Sequence, residues 1–374
     1  MSLLSQTRTK EAATSPVPAK TRRPWRSAAK VAASLGLLAA LFTLALPAVS
    51  GASLQSALAV LARLSLTEVL GLTALWVLGL VAYAVVLAAA LPGLRVAQGF
   101  VLNLVGSGVS NLAPLGGAVG VGVTWTMLRQ YGFGHPSILL FTLVTGVWNV
   151  VARLALPLFG IAALVLVGAP VSRSLLVTTG TSAALGVLVV GLVVTAFTSE
   201  AFWSKVRVVV AWSHGRFARL TGRTVDPDVA DDLTARRTEA VHLLRAERLP
   251  LVGGMLAYLL LQGVLMWACL AAVGSHLGWA EVAAGYALGR MLTLVALTPG
   301  GTGFAETGAA AVLIALGGDP AVTLAGVLLF SFFTFVCEIP GGALAYGWHL
   351  LARKRWQVSS PADEPGDLGV RTSG

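Results

Sequence analysis

Apolar stretches long enough to cross a bilayer follow one another along this chain. A hydrocarbon core ~30 Å thick needs ~20 helical residues. Ala29–Val49, Thr67–Leu91, Ser137–Gly168, Arg173–Thr198, Pro250–Val273 and Pro320–Leu351 each reach or exceed that length. Inside lipid no water satisfies a backbone amide, so such stretches close their hydrogen bonds within themselves as helices. The composition agrees: 56% of the residues are hydrophobic and 11% charged, against ~25% charged in a soluble domain. The expected fold class is an all-α polytopic membrane protein with about six full spans. Cys269 and Cys337 are far apart in apolar runs and imply neither a disulfide framework nor a metal site.

The formal net charge is +10, which in a soluble chain would suggest nucleic acid. Here the basic residues gather at the N-terminus, in one loop and at the C-terminus, which is the positive-inside pattern, so no nucleic-acid partner is expected. Residues 1–28 read as a disordered basic cytoplasmic tail. "AVS" at 48–50 resembles a cleavage site and Arg22–Arg23 a twin arginine, but the apolar run outlasts a signal core, and an uncleaved first helix is favoured. Residues 29–198 form a first membrane half and residues 250–355 a second. Between them, 199–249 holds nine Lys/Arg and seven Asp/Glu. Phe202, Val206, Val209, Trp212, Phe217 and Leu220 recur there beside basic residues, as in an amphipathic helix on an anionic leaflet. Residues 356–374 are a second disordered cytoplasmic tail. A cytoplasmic membrane location follows, multi-pass, with both termini cytoplasmic.

Two further apolar regions are interrupted. Ala97–Leu128 is broken at Pro114, Gly116 and Gly117, and Ala280–Leu316 by "TPGGTG" at Pro299, Gly300, Gly301 and Gly303. Pro in a helix interior costs ~3 kcal/mol and Gly ~1 kcal/mol relative to Ala. Pro114 precedes Pro136 by 22 residues and Pro299 precedes Pro320 by 21, and a long apolar segment with a proline, Pro157 or Pro340, follows each. This reads as an internal repeat. Arg95 and Arg129 flank the first break, Glu281 and Asp319 the second. Two re-entrant helical hairpins, one entering from the cytoplasm and one from outside, make the repeats inverted. Gly/Pro-interrupted segments in corresponding positions point to a transporter's binding site.

The second break leaves unpaired backbone groups, and the half-helix beginning near Gly303 aims its positive end at the gap, which favours an anion such as phosphate. Glu306 lies in that first turn, either as a charge cap or as a proton or cationic head-group site. Arg290, nine residues before Pro299, is either a snorkelling side chain or a phosphate clamp and partner for Glu306. Arg153 faces the same choice, with Asn149 one turn before it. Glu338 lies two residues before Pro340 and is a candidate partner for an arginine. Asn103 and Asn111 read as helix–helix glue. "GTGFAETG" follows no strand and is no dinucleotide fingerprint, no His–Glu metal spacing exists, and no nucleophile motif appears. No cofactor, metal or catalytic residue is therefore expected.

The stretch "LTPGGTGFAETGAAAVLIALGGDPAVTLAGVLLFSFF…IPGGALAYG" resembles the lysylphosphatidylglycerol synthase transmembrane-region family, a flippase-like membrane domain. Pro299, Gly300, Gly301, Gly303 and Glu306 follow its P-x-G-G-x-G-x-x-E pattern, with one residue fewer before the first Gly. The first-half motif departs from it: after "GGAVGVGV" only Thr124 and Thr126 are polar before Arg129. The polar tail after residue 355 has no room for a soluble aminoacyl-transfer domain. The resemblance thus implies a stand-alone lipid-translocase-like protein. The expected function is translocation of an anionic or modified lipid through a cavity between the two breaks, with the membrane lipid and the anionic cytoplasmic leaflet as partners and a homo-oligomer left open. The alternatives are a membrane enzyme acting on a polyprenyl-phosphate or phospholipid head group, and a non-transporting partner of a separate lipid synthase. The candidate substrate-binding residues are Pro299, Gly300, Gly301, Gly303, Glu306, Arg290, Pro114, Gly116, Gly117 and Arg153.

Overall fold

The computed structural model describes residues 54–112, 116–169, 246–294, 298 and 301–352, with isolated positions between 170 and 195 and at 44 and 48. The expected tails and most of the loop 199–249, of Ala29–Val49 and of Arg173–Thr198 lie outside the described residues, as do Pro114, Pro299 and Gly300. Every element among the described residues is helical.

A short helix α1 (Leu54–Leu61) comes first, in a stretch the sequence reading assigned to no element. The long α2 (Leu66–Ala90) starts where Ser65 and Glu68 form a reciprocal cap: Ser65 N–H donates to Glu68 Oε2 at 2.7 Å, and Glu68 N–H to Ser65 Oγ at 3.3 Å. Then α3 (Val96–Ser110) and α4 (Gly116–Gln130) flank the first break. The 32-residue α5 (His135–Leu166) is one helix with Pro157 inside it. The second half begins with α6 (Arg248–Ala272), followed by α7 (Trp279–Leu292) and α8 (Phe304–Ala315) around the second break. Asp319 caps α9 (Pro320–Ser331) by accepting from Val322 N–H at 3.0 Å. A π-helical turn, Phe332–Val336, joins α9 to α10 (Glu338–Ala352).

The order long helix, short helix, break, short helix, very long helix thus occurs twice. Among the described residues, four helices are long and apolar enough to span a membrane: Leu66–Ala90, His135–Leu166, Arg248–Ala272 and Pro320–Ala352. The short helices are a different kind of element. The longest has 15 residues and rises about 22 Å, well short of ~30 Å of hydrocarbon. They pack in pairs, α3 on α4 and α7 on α8.

Close pairing within each hairpin follows from small residues. In α4, a Cβ on Gly116 would overlap the Ser110 carbonyl, and one on Gly120 would lie 2.7 Å from the Gly106 carbonyl. In the second hairpin a Cβ on Gly289 would lie 3.1 Å from both the Ala305 carbonyl oxygen and Ala309 Cβ. Lipid gives apolar side chains little reason to prefer each other over acyl chains, so such backbone approaches carry much of the packing.

Between the halves the crossings are antiparallel. Along α2 and α6, Gly79 meets Leu261 and Gln262, the tilted rings of Tyr83 and Tyr258 meet, and Val86 meets Gly254. Along α3 and α10, Leu104 meets Gly342, Gly108 meets Glu338 and Asn111 meets Phe335. On the opposite flank α5 crosses α7 where Gly160 touches Ala284. The second long helix of each half therefore packs on the first short helix of the other. At the far end of α10, buried His349 bonds Tyr131 OH at 3.0 Å and Gln130 Oε1 at 2.7 Å, tying that helix to the end of α4.

Candidate functional site

The breaks and the inter-half crossings enclose one large cavity of about 630 Å³. Both halves contribute to its wall: Ser107 and Asn111 beside the first break, Thr298 and Gly301 in the second, and side chains from α2, α5, α6 and α7.

The second break is held by its own hydrogen bonds. Thr298 Oγ1 donates to Thr302 O at 2.6 Å, and Gly301 N–H to Thr298 O at 3.1 Å. Gly301 and Gly303 have φ of +75° and +87°, the left-handed region that costs an L-residue ~1–2 kcal/mol. Gly301 also lies so close to Thr293 that a Cβ would come within 2.8 Å of its Cα. Glycine at 301 and 303 is thus what lets this backbone turn.

Glu306 closes the break from the α8 side. Gly303 N–H donates to its Oε2 at 2.5 Å and Ser331 Oγ–H to its Oε1 at 2.6 Å. The carboxylate therefore occupies the positive end of α8, where an external anion was expected. It also ties the break to α9 at the edge of the π-helical turn.

The arginines lie elsewhere in the cavity. Arg290 Nη2–H donates to Tyr258 OH at 3.1 Å, and Glu338 is the acidic side chain that acts on it electrostatically. The expected pairing of Arg290 with Glu306 is not what the fold builds. Arg153 has no hydrogen-bond partner among the described residues and feels the positive charge of Arg290. The Nε atoms of both arginines are buried without a partner. Pro157, four residues beyond Arg153, has no amide hydrogen, so the Arg153 carbonyl also lacks its helical donor.

Tyrosines surround the two guanidinium groups. Tyr83 and Tyr258 have ring centroids 4.9 Å apart, and Asn149 Nδ2–H donates to Tyr83 OH at 2.5 Å. Tyr286 faces both arginines, and its hydroxyl is buried beside Arg290 but outside hydrogen-bond geometry. Sequence reasoning missed all three tyrosines. Its one usable signal was Asn149, a turn before Arg153 and so on the same helix face.

The first break is anchored to α10. Pro340 cannot donate, and in the i+5 register of the π turn it is the residue that would serve the Phe335 carbonyl. Asn111 Nδ2–H donates to that carbonyl at 3.2 Å and to Glu338 Oε2 at 3.1 Å. Asn111 is therefore more than glue between helices: it satisfies a carbonyl freed by the break in the neighbouring helix.

Of the expected site residues, Gly301, Glu306, Arg290, Gly116, Gly117 and Arg153 line the same cavity. Gly116 is buried against α3, whereas nothing would meet a Cβ on Gly117, which faces open space. Gly303 supports the break from behind Glu306. Pro299, Gly300 and Pro114 lie outside the described residues.

The family described as Lysylphosphatidylglycerol synthase TM region matches residues 28–341. No curated protein matches the chain.

Proposed function

The chain belongs to the lysylphosphatidylglycerol synthase transmembrane-region family, and on that premise we propose that it moves the head group of an anionic or modified lipid across the cytoplasmic membrane. The observation that carries this reading is the pair Arg153 and Arg290. Two guanidinium groups in one membrane cavity, each with an unpartnered buried Nε, are costly unless an anion completes them. Arginine presents a planar fork that fits a phosphodiester through two hydrogen bonds. The first turn of α4 contains no acidic residue, so its amide groups add positive potential from the first break, while Glu306 already neutralises that of α8.

In this reading the two hairpins are re-entrant and enter from opposite leaflets. The antiparallel crossing of α2 and α6 supports inverted repeats, since equivalent helices of inverted halves run in opposite directions. Six full spans, with both termini and the loop 199–249 cytoplasmic, accord with the basic residues there. The head group passes between the hairpins while the acyl chains remain in lipid. Glu306, Gly301 and Gly303 position the second break, Gly116 closes the first hairpin and Gly117 leaves its tip open. Pro299, Gly300 and Pro114 complete the two breaks.

The test is translocation of fluorescent phosphatidylglycerol in proteoliposomes. Arg153→Ala and Arg290→Ala are each expected to slow it about tenfold or more, the loss of a charge-assisted hydrogen bond. Arg290→Lys is expected to restore part of the rate, because the charge returns without the fork. Wild-type rates in both alanine variants would exclude the arginines as the head-group site.

A further inference from the structure

Four charged side chains line the cavity among the described residues: Arg153, Arg290, Glu306 and Glu338. The arginines face the anion and Glu306 holds the second break, which leaves Glu338 without a task. It is the first residue of α10, 8% exposed, with Oε2 accepting from Asn111 at 3.1 Å. Ser107 of α3 faces the same carboxylate, and Arg290 of α7 attracts it across the cavity. Arg153 of α5, Tyr83 of α2 and Tyr258 of α6 share the space, and Cys337 adjoins it in the chain.

These charges constrain one another. With both acids ionised, two negative groups balance two positive ones. A bound phosphodiester adds a negative charge in a region of low dielectric, where net charge is expensive. It also competes with Glu338 for Arg290. The acid that can release this strain is the one free to take a proton. Glu306 is less so, because its two oxygens accept from Gly303 N–H and Ser331 Oγ–H, and a proton there would require the Ser331 hydroxyl to turn and accept. Glu338 is, because Asn111 can go on donating to the carbonyl oxygen of a protonated carboxyl.

We propose that Glu338 is a proton site which couples capture of a lipid phosphodiester to uptake of one proton. Without lipid the carboxylate balances Arg290. When the phosphodiester takes the guanidinium, the Glu338 carboxylate accepts a proton from solvent and becomes a neutral acid, and no other bond is made or broken. Like charge disfavours the ionised acid, so binding takes up a proton and affinity falls as pH rises. The inference rests on the head-group reading above and gives it a driving ion.

Calorimetric titration of the detergent-solubilised full chain with dihexanoyl-phosphatidylglycerol, in buffers of unlike ionisation heat, counts the protons. Over roughly pH 5 to 8 the wild type is expected to take up about one proton per lipid, with affinity weakening by up to about tenfold per pH unit. Glu338→Gln is expected to bind with no proton uptake and with affinity independent of pH, and Glu338→Asp to keep the uptake. Binding by the wild type without proton uptake, or uptake lost in Glu306→Gln but kept in Glu338→Gln, overturns the coupling and leaves the head-group reading standing. Absence of lipid binding at every pH overturns both. A parallel titration with glycerophosphoglycerol separates lipid from soluble phosphodiester. Equal affinity for the two would overturn the lipid reading, while the proton count would still decide the role of Glu338.

Discussion

At the residue scale the instructive position is Glu306. An intramembrane carboxylate invites a functional assignment, yet this one spends both oxygens on its own fold. Gln is nearly isosteric: its carbonyl can accept from Gly303 N–H and its amide can donate to Ser331 Oγ. Glu306→Gln is therefore expected to translocate lipid at close to the wild-type rate, whereas Glu306→Leu leaves Gly303 N–H and Ser331 unsatisfied, a loss of ~1–3 kcal/mol. Translocation in proteoliposomes and thermal unfolding in detergent check the pair, and abolished transport in a well-folded Gln variant would restore the acid to the transport chemistry. The sequence displayed Glu306, Arg290, Arg153 and Glu338 as rare charges in apolar runs, but not which acid faces which base. That choice depends on how the halves cross. Tyr83, Tyr258 and Tyr286 were invisible for a plainer reason: tyrosine in an apolar run serves packing or a membrane interface equally well.

At the scale of elements, both breaks were readable because glycine and proline act on the backbone directly, whatever surrounds them. The π turn was not. Pro340 announced a disruption, but the i+5 register at Phe332–Val336 is set jointly by Pro340, Asn111 and the crossing with α3. The short helix α1 gave no signal either, since its eight residues carry no breaker pattern of their own. The α3–α10 crossing is the element contact on which the most depends, because it holds Asn111 against Phe335 and Glu338. A Cβ on Gly108 would lie 2.5 Å from the Glu338 carbonyl and one on Gly342 would lie 2.7 Å from that of Leu104. Gly108→Val is expected to push the helices apart and destabilise the protein by ~1–3 kcal/mol, and to weaken phosphatidylglycerol binding more than the same change at Gly117, where a Cβ meets nothing within 4 Å. Melting temperature and lipid affinity of the two variants, compared at equal expression, decide this.

At the scale of the whole molecule the question is orientation. The two halves have the same order of long and short helices, their first long helices cross antiparallel, and each half's last helix packs on the other's first hairpin arm. In the arrangement proposed above, one break faces each leaflet and a head group leaving one hairpin meets the other. In that proposal the flanking charges assign each hairpin to a side. Arg95 and Arg129 bracket the first, Glu281 and Asp319 the second, and basic residues remain on the cytoplasmic side. Single cysteines supply the measurement, placed in a background with Cys269 and Cys337 replaced by alanine. Cysteines at positions 20, 215 and 360 are expected to react with an impermeant maleimide only from the cytoplasmic side, and one at position 318, in the α8–α9 turn, only from outside. Positions 20, 215 and 360 serve as internal controls for sidedness. Cytoplasmic labelling at 318 would place both hairpins on one face. A head group would then have no second hairpin to reach, and the inverted arrangement would have to be abandoned together with passage between the breaks.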